Sequence, residues 1–182
     1  MNRTTGTALA WVAAVGMGIA LAVWYPTEGS VMGQLPAHST RFLNRTPVSL
    51  PDGLPSDRTL ALVTFNRDQR NQADSWIEGL NLKNDTSISW VRIPVLGDPS
   101  TPNARTEAED RLLGRYIADI ERAKMLPMFV DKAAFAQATG LKSTDQAYAV
   151  VFNRQGEVLA RVEGPYDSGK AQNLRETLQA KN

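Results

Sequence analysis

Residues 147–163 read Ala147-Tyr148-Ala149-Val150-Val151-Phe152, then Asn153-Arg154-Gln155-Gly156, then Glu157-Val158-Leu159-Ala160-Arg161-Val162-Glu163. A continuous apolar run of six residues is a buried strand. A polar turn closed by glycine follows it. The returning run is the second strand of a β-hairpin, the clearest in the chain. Residues 167–180, with Ala171, Leu174 and Leu178 at helical spacing, close the sequence with a helix.

Upstream of the hairpin, strand and helix signals alternate. Residues 132–139 predict a short helix carrying Phe135, stopped by Gly140 in the C′ position. Leu126-Pro127-Met128-Phe129-Val130 is strand-like. Before it, Thr106 and Glu109 form a capping-box pattern opening a helix to about Lys124. Leu112, Leu113, Tyr116, Ile117 and Ile120 make its apolar stripe. Its charges, from Arg105 to Arg122, alternate in sign as on a solvated face. Residues 97–103 are a loop. Residues 87–95 predict a strand. Residues 70–82 predict a helix, with Ala73, Trp76, Ile77 and Leu80 on one side. Thr59-Leu60-Ala61-Leu62-Val63-Thr64-Phe65 predicts a buried strand, and Val48-Ser49-Leu50 a short one before a turn. This order makes an α/β domain: a mainly parallel sheet flanked by helices, with an antiparallel part from the hairpin.

Residues 26–47 carry prolines and glycines without periodicity and read as a linker, with His38 a solvated side chain in it. Residues 8–25 (ALAWVAAVGMGIALAVWY) contain no charged side chain. About 18 such residues span roughly 27 Å as a helix, enough to begin crossing a bilayer. Trp24 and Tyr25 suit the membrane–water interface. The expectation is a signal anchor over 1–25, a linker over 26–47 and one domain over 48–182. The alternative is a signal peptide cleaved near Ala22, after the small-x-small Ala20-Leu21-Ala22. Either exports the domain: as a single-pass inner-membrane protein with its C-terminal part periplasmic, or as a secreted one.

The 182 residues hold no Cys and one His. That excludes a disulfide framework, a thiolate metal site and a cysteine nucleophile. No motif calls for a metal or a cofactor. Of 20 Lys+Arg, only Arg3 lies in residues 1–25, so 19 remain against 19 Asp+Glu in the exported part. Zero net charge argues against a nucleic-acid partner.

The order of elements resembles the thioredoxin-like superfamily, and within it the exported, membrane-tethered redoxins. Three stretches carry the resemblance: Leu62-Val63-Thr64-Phe65 with the helix after it; Leu126 to Asp131 through Phe135, Gly140 and Leu141; and Ala149 to Leu159 followed by Glu163-Gly164-Pro165. A secondary resemblance is to the mitochondrial ATP synthase assembly factor family. The resemblance implies a thioredoxin-like mixed sheet over residues 48–180. It would place a Cys-x-x-Cys motif at Arg70-Asn71-Gln72-Ala73 and a cis-proline at Ala147. Neither sulfur position holds a cysteine, and a cis bond before a non-proline costs about 2.5–4 kcal/mol, so Ala147 should be trans. Thiol–disulfide exchange needs a thiolate. The fold carries over and the family's chemistry does not.

The vacated loop, Asn66-Arg67-Asp68-Gln69-Arg70-Asn71-Gln72, opens a predicted helix. Arg67 and Arg70 there could bind an anion with help from the helix N-terminus. Alternatively, Asp68 caps the helix and the arginines are solvated or paired with it. Arg67, Asp68, Arg70, Asn71 and Ala147 are the candidate ligand or partner surface. The expected function is that of a tethered, non-catalytic module binding a protein of the envelope or respiratory membrane during assembly or maturation. The alternative is an enzyme or binding protein taking a small anionic ligand or cofactor at Arg67–Arg70.

Overall fold

A computed structural model describes residues 32–99 and 101–180. The segment 8–25, expected to anchor the chain, lies outside them. Among the described residues no helix is long and apolar enough to cross a membrane.

The strand β3 (Thr59–Thr64) is apolar on both faces because it is central in every direction. It pairs in parallel with β4 (Trp90–Pro94) on one side and antiparallel with β5 (Tyr148–Phe152) on the other. The hairpin adds β6 (Val158–Glu163) outside β5, giving the order β4-β3-β5-β6. Side chains of a strand alternate between faces, so the sheet has two cores. Ala61, Val63, Val150 and Phe152 face one; Leu60, Leu62, Ala149 and Val151 face the other.

The second face is covered by α1 (Arg70–Gly79) and α5 (Ser168–Gln179), through Trp76, Ile77, Ala171 and Leu174. Trp76 is fully buried; its indole N–H donates to the Gly164 carbonyl at 2.9 Å, and its ring meets Tyr166 edge-on at 5.3 Å. Burial of so large a ring requires this partner for its one polar atom.

The first face is covered by α4 (Lys132–Ala138) and by the N-terminal part of the domain. Asp131 caps α4 by accepting from the Ala134 N–H. Gly140 ends it as expected, at φ 67°, with its N–H on Gln137 and that of Leu141 on Ala136, the Schellman arrangement. A Cβ at Gly140 would run into the Met32 carbonyl, so this glycine also lets the segment before β1 (His38–Arg41) approach.

Three expectations are corrected. The four-stranded sheet is not mainly parallel: β3 and β4 form its one parallel pair, whereas β5 runs antiparallel to both β3 and β6, because β5 and β6 enter as a hairpin against β3. Residues 32–47, the described part of the expected linker, belong to the domain. β1 (His38–Arg41) pairs antiparallel with β2 (Pro47–Leu50), Leu35 and Leu43 are buried, and Val158 N–H bonds to the Gly33 carbonyl at 3.0 Å. Short apolar residues among prolines hid this, because their burial depends on docking and not on their own periodicity.

The long helix is also two. Its first part, α2 (Pro102–Arg115), is capped by Thr101 and not Thr106; Thr101 Oγ1 accepts from the Ala104 N–H at 3.2 Å. The chain turns extended at Tyr116 before the single turn α3 (Asp119–Arg122). Arg122 reaches back to the Tyr116 carbonyl at 2.7 Å and the Leu113 carbonyl at 3.3 Å, closing the end of α2. Leu112, Leu113 and Tyr116 keep their inward side, but Ile117 and Ile120, expected to continue it, are 77% and 73% exposed. The stretch Lys124–Met128 then runs parallel beside β4, with Leu126 N–H on the Arg92 carbonyl at 2.8 Å and Met128 N–H on Pro94 at 2.9 Å. The strand-like reading of this segment is thus realised as a ragged outer edge of the sheet.

Candidate functional site

β3 and β4 run in parallel and end side by side at Thr64 and Pro94. Crevices beyond the carboxyl ends of parallel strands are where open α/β sheets hold ligands. Here the chain leaves β3 through Phe65 and Asn66 into a 3₁₀ turn (Arg67–Gln69) that leads into α1. Asn66 Oδ1 accepts the N–H groups of Asp68 and Gln69, at 3.0 and 3.2 Å. The cap is therefore Asn66 and not Asp68. The first amides of the turn are already occupied, so a bare helix N-terminus is not what this site offers.

What it offers is side chains. A cavity of about 190 Å³ opens between the start of α1, the ends of β3 and β4, and α2. Arg67, Arg70, Arg92 and Lys132 line it, and no carboxylate does among the described residues. Arg92 donates to the Asp74 carboxylate and to the Tyr116 hydroxyl, the latter at 3.2 Å. Lys132 Nζ donates to the Phe65 carbonyl. The guanidinium groups of Arg67 and Arg70 make no hydrogen bond or ion pair with a described residue. Two unpaired guanidinium groups beside two further cations, one of them neutralised by Asp74, give a field that attracts an anion and a fork geometry that can hold it.

The expected surface is divided by α1. Arg67 and Arg70 line the cavity; Asp68 and Asn71 are exposed outside it. Ala147 is buried on another side, where two glutamines close the space. Gln69, only 3% exposed, accepts from the Phe65 N–H and donates to the Thr144 carbonyl, both at 2.7 Å. Gln72 accepts from the Ala147 N–H at 2.8 Å and donates to Gln146 Oε1 at 2.9 Å. The bond from Ala147 needs an N–H that proline lacks. Among the described residues the one cis peptide bond precedes Pro51, and Ala147 is trans as expected. Of the two expected sulfur positions, Arg70 begins α1 half-buried, and Ala73 sits one turn on, buried.

Neither glutamine was singled out from the sequence, nor were Arg92 and Lys132. The glutamines had a signal: amide side chains at the vacated motif itself. Arg92 and Lys132 had none, since they come from other strands and helices.

No family model matches the sequence, and no curated protein matches it. Solved structures do. The Sco-family protein BsSco, a member of a family of cytochrome c oxidase assembly proteins with a disulfide switch, aligns over 84% of this chain and 97% of its own, with 15% identity and a TM-score of 0.55. The fold is thioredoxin-like. A thiol-disulfide oxidoreductase of Bacteroides fragilis (79% of this chain, 98% of its own, 14% identity, TM-score 0.51) agrees with that. So does the exposed lipoprotein thioredoxin Etrx1 of Streptococcus pneumoniae (78% and 99%, 10% identity, TM-score 0.51). At these identities the likeness is one of fold. Within this thioredoxin-like frame, the cationic cavity lies beside the place where the sequence aligned the missing cysteines.

Proposed function

We propose that this chain is a membrane-tethered, extracytoplasmic thioredoxin-like module that works by binding an anion, without thiol–disulfide exchange, in the assembly or maturation of envelope or respiratory proteins. The observation that carries the reading is the formed cavity with Arg67 and Arg70 unpaired at its rim. The absence of any thiol from the 182 residues removes the chemistry of exchange but not the site. Support for an assembly role comes from the Sco-family likeness. Support for a protein partner comes from Ile117 and Ile120, which stand exposed next to the cavity residue Tyr116. Tethering rests on the apolar segment 8–25.

The test is titration of the full chain in nanodiscs with acetate and inorganic phosphate, followed by calorimetry. The Arg67→Ala/Arg70→Ala double variant should bind at least tenfold more weakly, the scale of one or two charge-assisted hydrogen bonds. Equal binding by both proteins, or binding by neither, defeats the reading.

A further inference from the structure

The cavity's walls are of two kinds, and they are segregated. The unpaired cations are at the rim: Arg67 is exposed and Arg70 half-buried. Behind them the walls are hydrocarbon. Leu62, Ala73 and Met125, each at most 2% exposed, line the interior, and Leu112 of α2 lines it from the helix side. A small hydrated ion would engage the rim and leave these walls facing water. A purely apolar ligand would fill the interior and make no use of the two guanidinium groups at the rim. Ligand cavities with mostly apolar walls and a few convergent polar groups take molecules that satisfy both at once.

We infer that the ligand is amphipathic: an anionic head, carboxylate or phosphate monoester, on a short unbranched apolar chain, with the head on Arg67 and Arg70 and the chain against Leu62, Ala73, Leu112 and Met125. This rests on the anion-binding reading above and names the class of molecule that the same cavity takes. Neutral analogues lack the head, and hydrophilic anions lack the chain. Burial of each methylene should tighten binding about fourfold until the interior is full.

The experiment is a chain-length series against the full protein in nanodiscs, with empty nanodiscs subtracted. Straight-chain carboxylates from acetate to octanoate form one arm, alkyl phosphates of the same lengths a second, and the corresponding alcohols a third. The inference expects affinity to climb with chain length and then level off in at least one anionic arm. Whichever arm binds tighter identifies the head. Leu112→Asn, a neutral substitution on a helix that buries none of its residues, should flatten the climb with chain length, whereas Arg67→Ala/Arg70→Ala should weaken the anions of every length alike. Affinity independent of chain length overturns the inference and leaves the anion-binding reading standing. Alcohols binding as tightly as the acids also overturn it, since the head then contributes nothing. If no anion of any length binds, the anion-binding reading itself falls.

Discussion

At the scale of single residues, the two positions where the resemblance would place sulfur, Arg70 and Ala73, line the cavity, whereas Ala147, where it would place proline, is buried on another side. Ala73, where the resemblance would place the second thiol, is a small apolar side chain at a buried helix position. Gln72 does more. Its amide bridges Ala147 N–H and Gln146 Oε1, so two segments 75 residues apart are fastened by one side chain. Removing it leaves a buried backbone N–H without an acceptor, which costs about 1–3 kcal/mol. Gln72→Ala should therefore lower stability to chemical denaturation by about that much. Gln72→Glu, which keeps an acceptor for Ala147, should cost less if the midpoint of urea unfolding is compared at neutral pH. Equal losses for both would mean that the Ala147 bond is not what Gln72 supplies. The glutamine pair was readable only as amide side chains at the vacated motif. Its role depends on which residues face it, and periodicity says nothing about that.

At the scale of elements, α2 stands apart. None of its fourteen residues is buried. It is held by side-chain contacts at its flanks: Glu109 with Arg41 of β1 at 2.5 Å, Arg105 over the Phe129 ring at 4.6 Å, and Tyr116 against Arg92. Exposed ion pairs contribute little, about 0–1 kcal/mol each, so the helix opens more easily than the sheet. Amide hydrogen exchange should show α2 far less protected than β3 and β5, whose bonds lie between two apolar layers. Protection of α2 equal to that of β3 would show that the helix is anchored by more than these contacts. Because Leu112 and Tyr116 of this segment line the cavity, its opening would change access to the site. The apolar stripe of the sequence suggested a single buried-faced helix. Tyr116 breaks it, and the break follows from Arg92 holding the ring and Arg122 reaching the freed carbonyls. Those partners are remote in sequence or on the far side of the turn, beyond what a 3.6-residue period conveys.

At the scale of the whole molecule, zero net charge over residues 26–182 beside a concentrated cationic cavity favours recognition by a local site over recognition by bulk charge. If residues 8–25 anchor the chain, the intact protein should fractionate with membranes and resist extraction by high salt or alkali, whereas a chain lacking residues 1–25 should not. Recovery of the intact chain in the soluble fraction at full length would refute the anchor. A soluble species shortened to begin near Val23 would instead support cleavage at Ala22. The sequence by itself determined the alternation of strands and helices from β3 onward, apart from the break after Arg115, together with the two-faced burial of β3 and β5, the glycine stop of α4 and the lack of any thiol, because each follows from local spacing or from the presence of a residue type. Only the tertiary structure decided that residues 32–47 join the domain, that Asn66 takes the cap, and that Arg92 and Lys132, 25 and 65 residues beyond Arg67, share one cavity with it. The reason is physical. Periodicity encodes which side of an element faces a core, but which side chains meet around a cavity is set by the order of strands in the sheet and the docking of helices upon it.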